Sequence, residues 1–345
     1  MIRIFTHVGL DPRNGGGVAT YVRNLAAVLS TFGRAHEILS VSQFSKFFML
    51  ISFLRYFSFR GPVLLNSALH PFSLLMILFS RSKNLIVMPH GEFLNAALKL
   101  NKNKKFAVLR ILKWLSKCFG ASEHVTVVAT SEAEVNNFAK YISVQQAQIV
   151  QDVVHLRERP IQERVNPQDK NNRLHVVMIG RMVRVKGFKK VLDDLAVHSV
   201  PAIEKISIYY LAEDPAYLAE VEEALGHLQR CGMDVVILEG RDADKIYADC
   251  KDTNSILVVP SEFESFSYAL VENLWMPNKP IVSFENQLTS YLVGQGHCRL
   301  ARGNRFADAI RSSEPADISA VHDLIHSYAD AINKHTIKIL YGVET

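Results

Sequence analysis

The residues best suited to chemistry lie in the segment 258–272, VVPSEFESFSYALVE, which carries Glu264 and Glu272 eight positions apart. The preceding apolar run predicts a strand that is buried on both faces, and Ser265 or Ser267 could cap the helix that follows it. Ligands of open α/β sheets bind outside the carboxyl ends of such strands, so the two carboxylates could grip two parts of one long ligand. Solvated helix charges are the alternative, because this spacing also arises by chance.

A pair of cations follows a second apolar run, 174–179. Arg181 and Lys186 stand in GRMVRVKG, directly after that run and before a helical pattern. A guanidinium fork binds two phosphate oxygens and an ammonium acts as a point charge, so together they could hold a pyrophosphate. Solvated surface cations are again the alternative.

Two weaker signals lie in the first half of the chain. Gly15, Gly16 and Gly17 precede a helical pattern, where glycine lets backbone N–H groups approach a ligand. Their spacing is not GxGxxG, so no dinucleotide fingerprint is predicted. His90 ends the apolar run 85–88 and could donate to a sugar hydroxyl or a phosphate oxygen, although a lone histidine is more often structural.

The elements that must position these residues alternate between short apolar runs and longer helical patterns, which predicts βαβ units and parallel sheets. The candidate strands are 2–6, 37–41, 63–66, 84–88, 125–129, 174–179, 205–211, 234–238, 255–259 and 280–284. At 345 residues the chain exceeds the length at which one core usually splits, and the polar segment 156–172 predicts a linker. We therefore expect an α/β protein with two facing Rossmann-like domains, 1–160 and 161–324, and a cleft between them. A C-terminal helix, 325–345, is expected to pack back on the first domain.

Composition excludes several classes of protein. Hydrophobic residues make up 48% of the chain, which excludes disorder. The four cysteines lie far apart without a CxxC pair, which argues against a disulfide framework or a zinc site and fits a reducing cytosol. The N-terminus has the pattern of a first strand rather than of a targeting segment, and the apolar stretch 47–59 is too short to span a bilayer. We expect a cytoplasmic protein, soluble or peripheral on the membrane.

Charge is unevenly distributed. The net charge is +5, but residues 1–155 hold 17 Lys and Arg against 7 Asp and Glu, a local net charge of +10. A basic first half favours anionic partners such as phosphates, nucleic acid or a lipid surface. In 101–119 a basic stripe lies beside a broad apolar face, and 44–60 repeats the pattern. Both segments suit an anionic lipid interface, with ordinary core packing as the alternative.

Together these segments resemble the retaining glycosyltransferases of the GT-B fold, and within them the large family 4 group. The matching stretches, in chain order, are GGGVATYVRNL, PHGEF, ATSEAE, IGRMVRVKGF and PSEFESFSYALVENLWMPNKPIV, and they span nearly the whole chain. The stretch PHGEFLNAALK adds a looser similarity to bacterial enzymes that build O-antigen, other lipopolysaccharide or capsular polysaccharide.

The resemblance implies roles in the second domain. Arg181 and Lys186 would bind the donor diphosphate and stabilise it as it leaves. Glu272 would hydrogen-bond the ribose. Glu264 would contact the hydroxyls of the donor sugar, near the backbone N–H groups of Ser265, Phe266 and Ser267.

In the first domain, Gly16 and Gly17 would approach the donor phosphate and His90 would face the transferred sugar. The donor would be UDP- or GDP-linked, with no cofactor and no metal. The acceptor would be a saccharide, expected on a lipid carrier at the inner-membrane surface, with no nucleic-acid partner. Two alternatives stay open: a nucleotide-sugar epimerase, and a non-catalytic, glycan-binding relative.

The chain departs from the family pattern at three places. Ser265 and Ser267 stand where glycine is frequent, and Asn278 stands where a glycine often precedes the next strand. The residues 283–287, SFENQ, replace a glycine-rich loop that contacts the donor sugar, so the identity of the sugar cannot be predicted.

Overall fold

The chain folds into two compact units. The computed structural model describes residues 1–10, 16–40, 58–80, 82, 84–94, 98, 102–119, 125–142, 144–156, 173–240, 243–251 and 253–342. The described residues of Met1–His155 and Tyr328–Thr345 form the first unit, and those of Leu156–Ser327 form the second. Gly15, the aromatic and basic residues of 44–57, and 157–172 of the expected linker lie outside the described residues.

The first unit is a six-stranded parallel sheet with helices between its strands. The strand order is β2-β1-β3-β4-β5-β6. The strands are β1 Ile2–Thr6, β2 His36–Ser40, β3 Val63–Asn66, β4 Leu85–Met88, β5 Val125–Ala129 and β6 Gln146–Ile149. The helices are α1 Gly17–Thr31, α2 Pro71–Phe79, α3 Lys102–Phe119 and α4 Glu132–Ala139. The central strands are apolar on both faces because helices cover both sides of the sheet, as is typical of parallel sheets.

The second unit repeats this architecture, with the strand order β12-β11-β10-β7-β8-β9. Its strands are β7 Leu174–Met182, β8 Ile203–Ala212, β9 Asp234–Glu239, β10 Ser255–Val259, β11 Ile281–Val282 and β12 Arg299–Leu300. Its helices are α5 Phe188–Val197, α6 Pro215–Arg230, α7 Ala243–Cys250, α8 Tyr268–Val271, α9 Gln287–Gly294 and α10 Phe306–Arg311. The final helix, α11 Ile318–Tyr341, starts before the expected 325, and its residues from Tyr328 onward belong to the first unit.

The expectation of an α/β protein with parallel sheets is confirmed, and most of the predicted strands lie within two residues of their observed bounds. Two strands were missed. β6 has the polar sequence QAQI and is mostly exposed, so it carries no buried-strand pattern. β12 has only two residues.

Strand order locates the ligand-binding edge of each unit. In an open parallel sheet, ligands bind at the carboxyl ends of the two strands between which the winding direction reverses. That reversal lies between β1 and β3 in the first unit and between β7 and β10 in the second. The side chains that follow these strands are therefore the first to consider as a site.

Asn278 holds the turn before β11 through its side chain. It does not adopt a left-handed conformation. Its side-chain amide instead donates to the Asn254 side-chain oxygen at 2.7 Å and to the Ser255 carbonyl at 3.0 Å. The asparagine therefore ties the start of β11 to the start of β10, where glycine would leave the turn unanchored.

Gly187 sets the distance between the β7 loop and the end of β10. Its φ is +70°, and a Cβ at this position would lie 2.1 Å from the Pro260 carbonyl oxygen. Nearby, the Glu262 amide donates to the Val185 carbonyl at 2.8 Å. The two backbone segments thus lie closer together than any side chain at 187 would allow.

We expect Gly187→Ala to destabilise the second unit by about 2–4 kcal/mol, because it adds left-handed strain to a clash with backbone. The matched control is Gly232→Ala, since Gly232 has a φ of +90° but nothing within 4 Å of the added Cβ. That variant should lose only about 1 kcal/mol, the cost of strain alone. Urea unfolding of both variants measures the difference, and equal losses would show that the close approach to Pro260 is not limiting.

Candidate functional site

In the second unit, the reversal between β7 and β10 brings Lys186 and Glu264 together. Lys186 ends a 3₁₀ turn, Arg184–Lys186, that follows β7, and Glu264 lies in the loop after β10. The Lys186 ammonium donates to Glu264 Oε1, which also accepts from the Ser261 hydroxyl at 2.8 Å. The two side chains of the ion pair are 16% and 14% exposed, so the pair is shielded yet reachable from solvent.

Arg181 lies at the end of β7, beside the same edge. Its guanidinium forms a two-oxygen ion pair with Glu213, at 3.0 and 3.2 Å, and both side chains are 41% exposed. An exposed pair of this kind contributes about 0–1 kcal/mol, so a ligand phosphate can replace the carboxylate at little cost. Glu213 follows β8, and nothing in the sequence pattern marks it as the partner of Arg181.

The loop between β10 and α8 holds the remaining candidates. Phe266 and Ser267 are buried, and the Ser267 hydroxyl caps α8 by accepting from the Leu270 amide at 3.4 Å. This helix has only four residues, so Glu272 lies at its end rather than two turns into a longer helix. Ser265 precedes the buried pair, and neither serine needs the left-handed conformation for which glycine would be selected.

The segment 283–287 tethers this loop. The Ser283 hydroxyl donates to the Ser261 carbonyl at 2.8 Å, and the Asn286 amide donates to the Glu264 carbonyl at 3.4 Å. Asn286 also caps α9 through a reciprocal capping box with Thr289. Side-chain hydrogen bonds therefore fix the Glu264 turn.

In the first unit, Gly16 and Gly17 begin α1 at the carboxyl edge of the sheet. Gly16 is the N-cap residue with φ −74°, and its carbonyl accepts from the Thr20 amide. Neither glycine has a positive φ, so the turn does not depend on left-handed backbone. A Cβ at Gly17 would meet nothing within 4 Å, which leaves open space beside the helix N-terminus.

His90 is buried at the end of β4, with both ring nitrogens bonded to other side chains. Nδ1 lies 3.2 Å from Asp152 Oδ1 and Nε2 lies 3.0 Å from Asn66 Oδ1. The Tyr21 ring packs against the imidazole at a centroid distance of 4.5 Å. His90 also has a φ of +49°, and Ser67 a φ of +130°, and these are the two non-glycine residues with positive φ in the described part of the chain.

Acidic groups determine the charge state of His90. Burial lowers the pKa of His90, but the charge and hydrogen bond of Asp152, together with the charges of Glu134 and Glu92, outweigh burial and raise the pKa above its ordinary value. Burial likewise raises the pKa of the Glu134 carboxyl, against the lowering effect of the His90 charge and of nearby backbone amides. The acidic side chains around His90 therefore favour its protonated form.

The two glutamates bond to two different turns beside His90. Glu92 accepts from the Ser67 hydroxyl at 2.5 Å and from the Ala68 and Leu69 amides at 2.7 and 3.2 Å. Glu134 accepts from the Thr130 amide at 3.4 Å and faces the Gly91 amide. Glu92 thus holds the Ser67 turn, and Glu134 holds the backbone that follows His90.

Sequence reasoning identified only part of this network. Ser131 caps α4 as the capping-box pattern suggests, but the Glu134 side chain reaches Thr130 and not the amide of Ser131. Asn66 and Asp152 were missed because their positions lie 24 and 62 residues from His90. A polar residue at the end of an otherwise apolar strand, such as Asn66 in VLLN, was the available signal.

Comparisons with known proteins show which solved structures share this fold. No family model matches the chain, and no match was found among curated proteins. Sucrose-phosphate synthase from Thermosynechococcus elongatus is similar in structure, with 15% identity and a TM-score of 0.63 over 99% of this chain and 94% of that one. WaaG, a glycosyltransferase involved in lipopolysaccharide biosynthesis, has 11% identity and a TM-score of 0.65 over 99% and 100%.

A third similar structure is HepE from Anabaena, solved in complex with UDP and glucose. It has 15% identity and a TM-score of 0.55 over 96% of this chain and 99% of that one. At these identities the likeness shows the fold, which is that of the GT-B glycosyltransferases. The roles of the site residues remain predictions.

We expect Glu92→Gln to destabilise the first unit by about 1–3 kcal/mol, because the amide cannot accept all three hydrogen bonds that the carboxylate accepts. Hydrogen exchange at Ala68 and Leu69 should accelerate in step. Glu132→Gln is the control, since Glu132 is an exposed first-turn residue of α4. Unchanged exchange at Ala68 and Leu69 would mean that Glu92 does not hold the Ser67 turn.

Proposed function

We propose that this chain is a retaining, metal-independent glycosyltransferase that moves a hexose-type sugar from a UDP- or GDP-linked donor to a saccharide acceptor. The observation that carries the proposal is the placement of Lys186 and Glu264 at the winding reversal of the second sheet, with Arg181 at the end of β7, one of the two strands at that reversal. The similarity of the fold to nucleotide-sugar-binding HepE and to WaaG supports the same reading.

The cations suit a departing diphosphate. Loss of a nucleoside diphosphate concentrates negative charge on the leaving oxygens, and fixed cations oppose that charge without reorganisation. In the free protein Lys186 is paired with Glu264 and Arg181 with Glu213. Each cation is therefore already oriented, and the diphosphate would compete with a carboxylate for it.

Glu264 suits binding better than nucleophilic attack. One of its oxygens is shared between the Lys186 ammonium and the Ser261 hydroxyl, and both lower the nucleophilicity of the carboxylate. A carboxylate held in this way can accept from the hydroxyls of the donor sugar. Retention would then proceed by same-face attack, with the leaving phosphate taking the acceptor proton, while Glu272 binds the ribose.

We expect UDP or GDP to bind the wild-type protein and Lys186→Ala to weaken that binding by about 10- to 100-fold, the loss of one or two charge-assisted hydrogen bonds. Lys190→Ala is the matched control, because Lys190 lies four residues away on the same unit and is paired with Glu262. It should change affinity less than twofold. Titration calorimetry with UDP, GDP, ADP and their sugars measures these affinities. The same series includes Glu272→Ala.

Four outcomes would contradict the proposal. Absence of nucleotide binding, or equal affinity in wild type and Lys186→Ala, removes the donor site. Binding of a nucleotide sugar with no release of nucleoside diphosphate, whichever acceptor is supplied, would favour the non-catalytic relative. Conversion of the donor to its epimer without transfer would favour the epimerase.

We also propose that the acceptor is lipid-linked, in bacterial surface polysaccharide biosynthesis, and that α3 contacts the membrane that carries it. Within the described helices none is long and apolar enough to cross a bilayer. α3 buries Leu109 in the core of the first unit but leaves Ile111 and Trp114 58% and 65% exposed. The exposed basic residues Arg110 and Lys117 lie beside them, a combination that suits the headgroup region of anionic lipid.

We expect the protein to bind vesicles that contain anionic lipid, and to bind more weakly as salt is added. Each substitution of Arg110 or Lys117 by Gln should weaken binding about fivefold, since one basic residue near such a surface is worth about 1 kcal/mol. Trp114→Ser should weaken it further through lost apolar contact. Val197→Ser, which replaces a 75% exposed apolar residue of the second unit, is the control.

Vesicle flotation distinguishes the outcomes. Equal binding to neutral and anionic vesicles, or a loss with Val197→Ser as large as with Trp114→Ser, would exclude α3 as the docking face. The donor-binding measurements do not depend on this result, because the cations involved lie in different units.

A further inference from the structure

We infer that Asp152 is a positioning residue: with Asn66, it holds His90 as a doubly protonated imidazolium and so keeps the strained His90 turn in place. The effect on sugar transfer rests on the function proposed above, whereas the protonation state can be measured without activity. Asp152 lies in the segment after β6, which has no helical or strand structure, and it is 4% exposed.

The number of protons on the His90 ring follows from the two oxygen atoms that its nitrogens contact. The Asn66 side-chain amide donates to the Phe5 carbonyl at 3.2 Å, which fixes the amide orientation and leaves its oxygen facing His90. Nε2 of His90 lies 3.0 Å from that oxygen and must donate to it. Nδ1 lies 3.2 Å from Asp152 Oδ1, which as a carboxylate only accepts. Both ring nitrogens therefore carry hydrogen, and the ring is cationic.

The surroundings favour that charge. The carboxylates that face the ring are Asp152, Glu134 and Glu92, from three different elements, and the side chains of His90 and Asp152 are 5% and 6% exposed. The fourth titratable neighbour is Tyr21, whose hydroxyl is engaged with the Met88 sulfur at 2.8 Å and whose pKa is raised well above its ordinary value by burial and by Asp152. Tyr21 is therefore neutral and adds no negative charge beside the ring.

The imidazolium holds the backbone at His90 in an unfavourable conformation. His90 has a φ of +49° and Gly91 a φ of +86°, and a non-glycine residue persists in this region only where its surroundings fix it. Loss of either ring proton would set a nitrogen lone pair against an oxygen lone pair of Asn66 or Asp152. The ring would then lose one of its two anchors, and the turn at the carboxyl edge of the first sheet would lose the contact that holds it.

This arrangement has a consequence for the pH profile. A histidine whose pKa is raised in the folded state stabilises that state fully below its unfolded pKa of about 6.5. The stabilisation is lost as the pH rises through the raised pKa. The His90 turn should therefore be fully supported below about pH 6.5 and should loosen as the pH rises through the raised pKa of His90. Asp152→Asn removes the negative charge that does most to raise the pKa of His90. The pH at which the turn loosens should therefore fall by about one pH unit or more.

The test is nitrogen NMR of the full-length protein labelled on histidine, together with kcat and KM between pH 6 and pH 9. In the wild type, both His90 ring nitrogens should be protonated at pH 7, assigned by the missing signals of His90→Gln. In Asp152→Asn the His90 titration and the alkaline limb of kcat should shift down together, with KM for the donor changed less than twofold. Lowering the pH should restore kcat, and Asp152→Glu should restore both readouts.

Asp330→Asn is the control, since Asp330 belongs to the first unit and is paired with Lys334 on the exposed face of α11. It should shift neither readout. A singly protonated His90 in the wild type at pH 7 would overturn the inference, even if Asp152→Asn fails to fold. An Asp152→Asn variant that lowers kcat equally at every pH would also overturn it, because a purely structural role gives that result. A cationic His90 in a protein without transferase activity would refute the proposed function and leave the proton assignment standing.

Discussion

The close contact between Gly187 and the Pro260 carbonyl is the constraint on which the second unit's site depends. A side chain at 187 would have to occupy the space of that carbonyl, so the 3₁₀ turn after β7 and the loop after β10 can meet only through glycine. The bond from the Glu262 amide to the Val185 carbonyl secures the same approach. Lys186 and Glu264 are attached to these two segments, and their ion pair is a consequence of backbone contact more than its cause.

The two units differ in how far their paired charges are exposed to solvent. In the second unit the cations are partly exposed and paired with carboxylates, so solvent reaches both ion pairs. In the first unit, His90 and Asp152 are withdrawn from water, where an unpaired charge is costly and both partners must be satisfied internally. The charge of His90 therefore serves to hold a backbone turn.

Sequence patterns predicted the sheets well because buried parallel strands are apolar on both faces. β1, β3, β5 and β10 match their predicted bounds, whereas β6 failed because an edge strand need not be apolar. The residues around 181–186 and 258–272 were found because each motif is contiguous and follows a strand. Glu213, Asn66 and Asp152 were not found, since their partners are distant in sequence and strand order alone decides which loop ends become neighbours.

The segment 283–287 supports the turn that carries Glu264 through side-chain hydrogen bonds. Glycine-rich loops allow backbone amides to approach a sugar, and bulkier residues would normally prevent that approach. Here Ser283 and Asn286 donate to the carbonyls of Ser261 and Glu264, which bracket the turn that carries the ion pair. These side chains therefore support the position of Glu264. Sugar selection would then depend on the fixed Glu264 carboxylate, which favours donors whose hydroxyls are placed to reach one rigid acceptor.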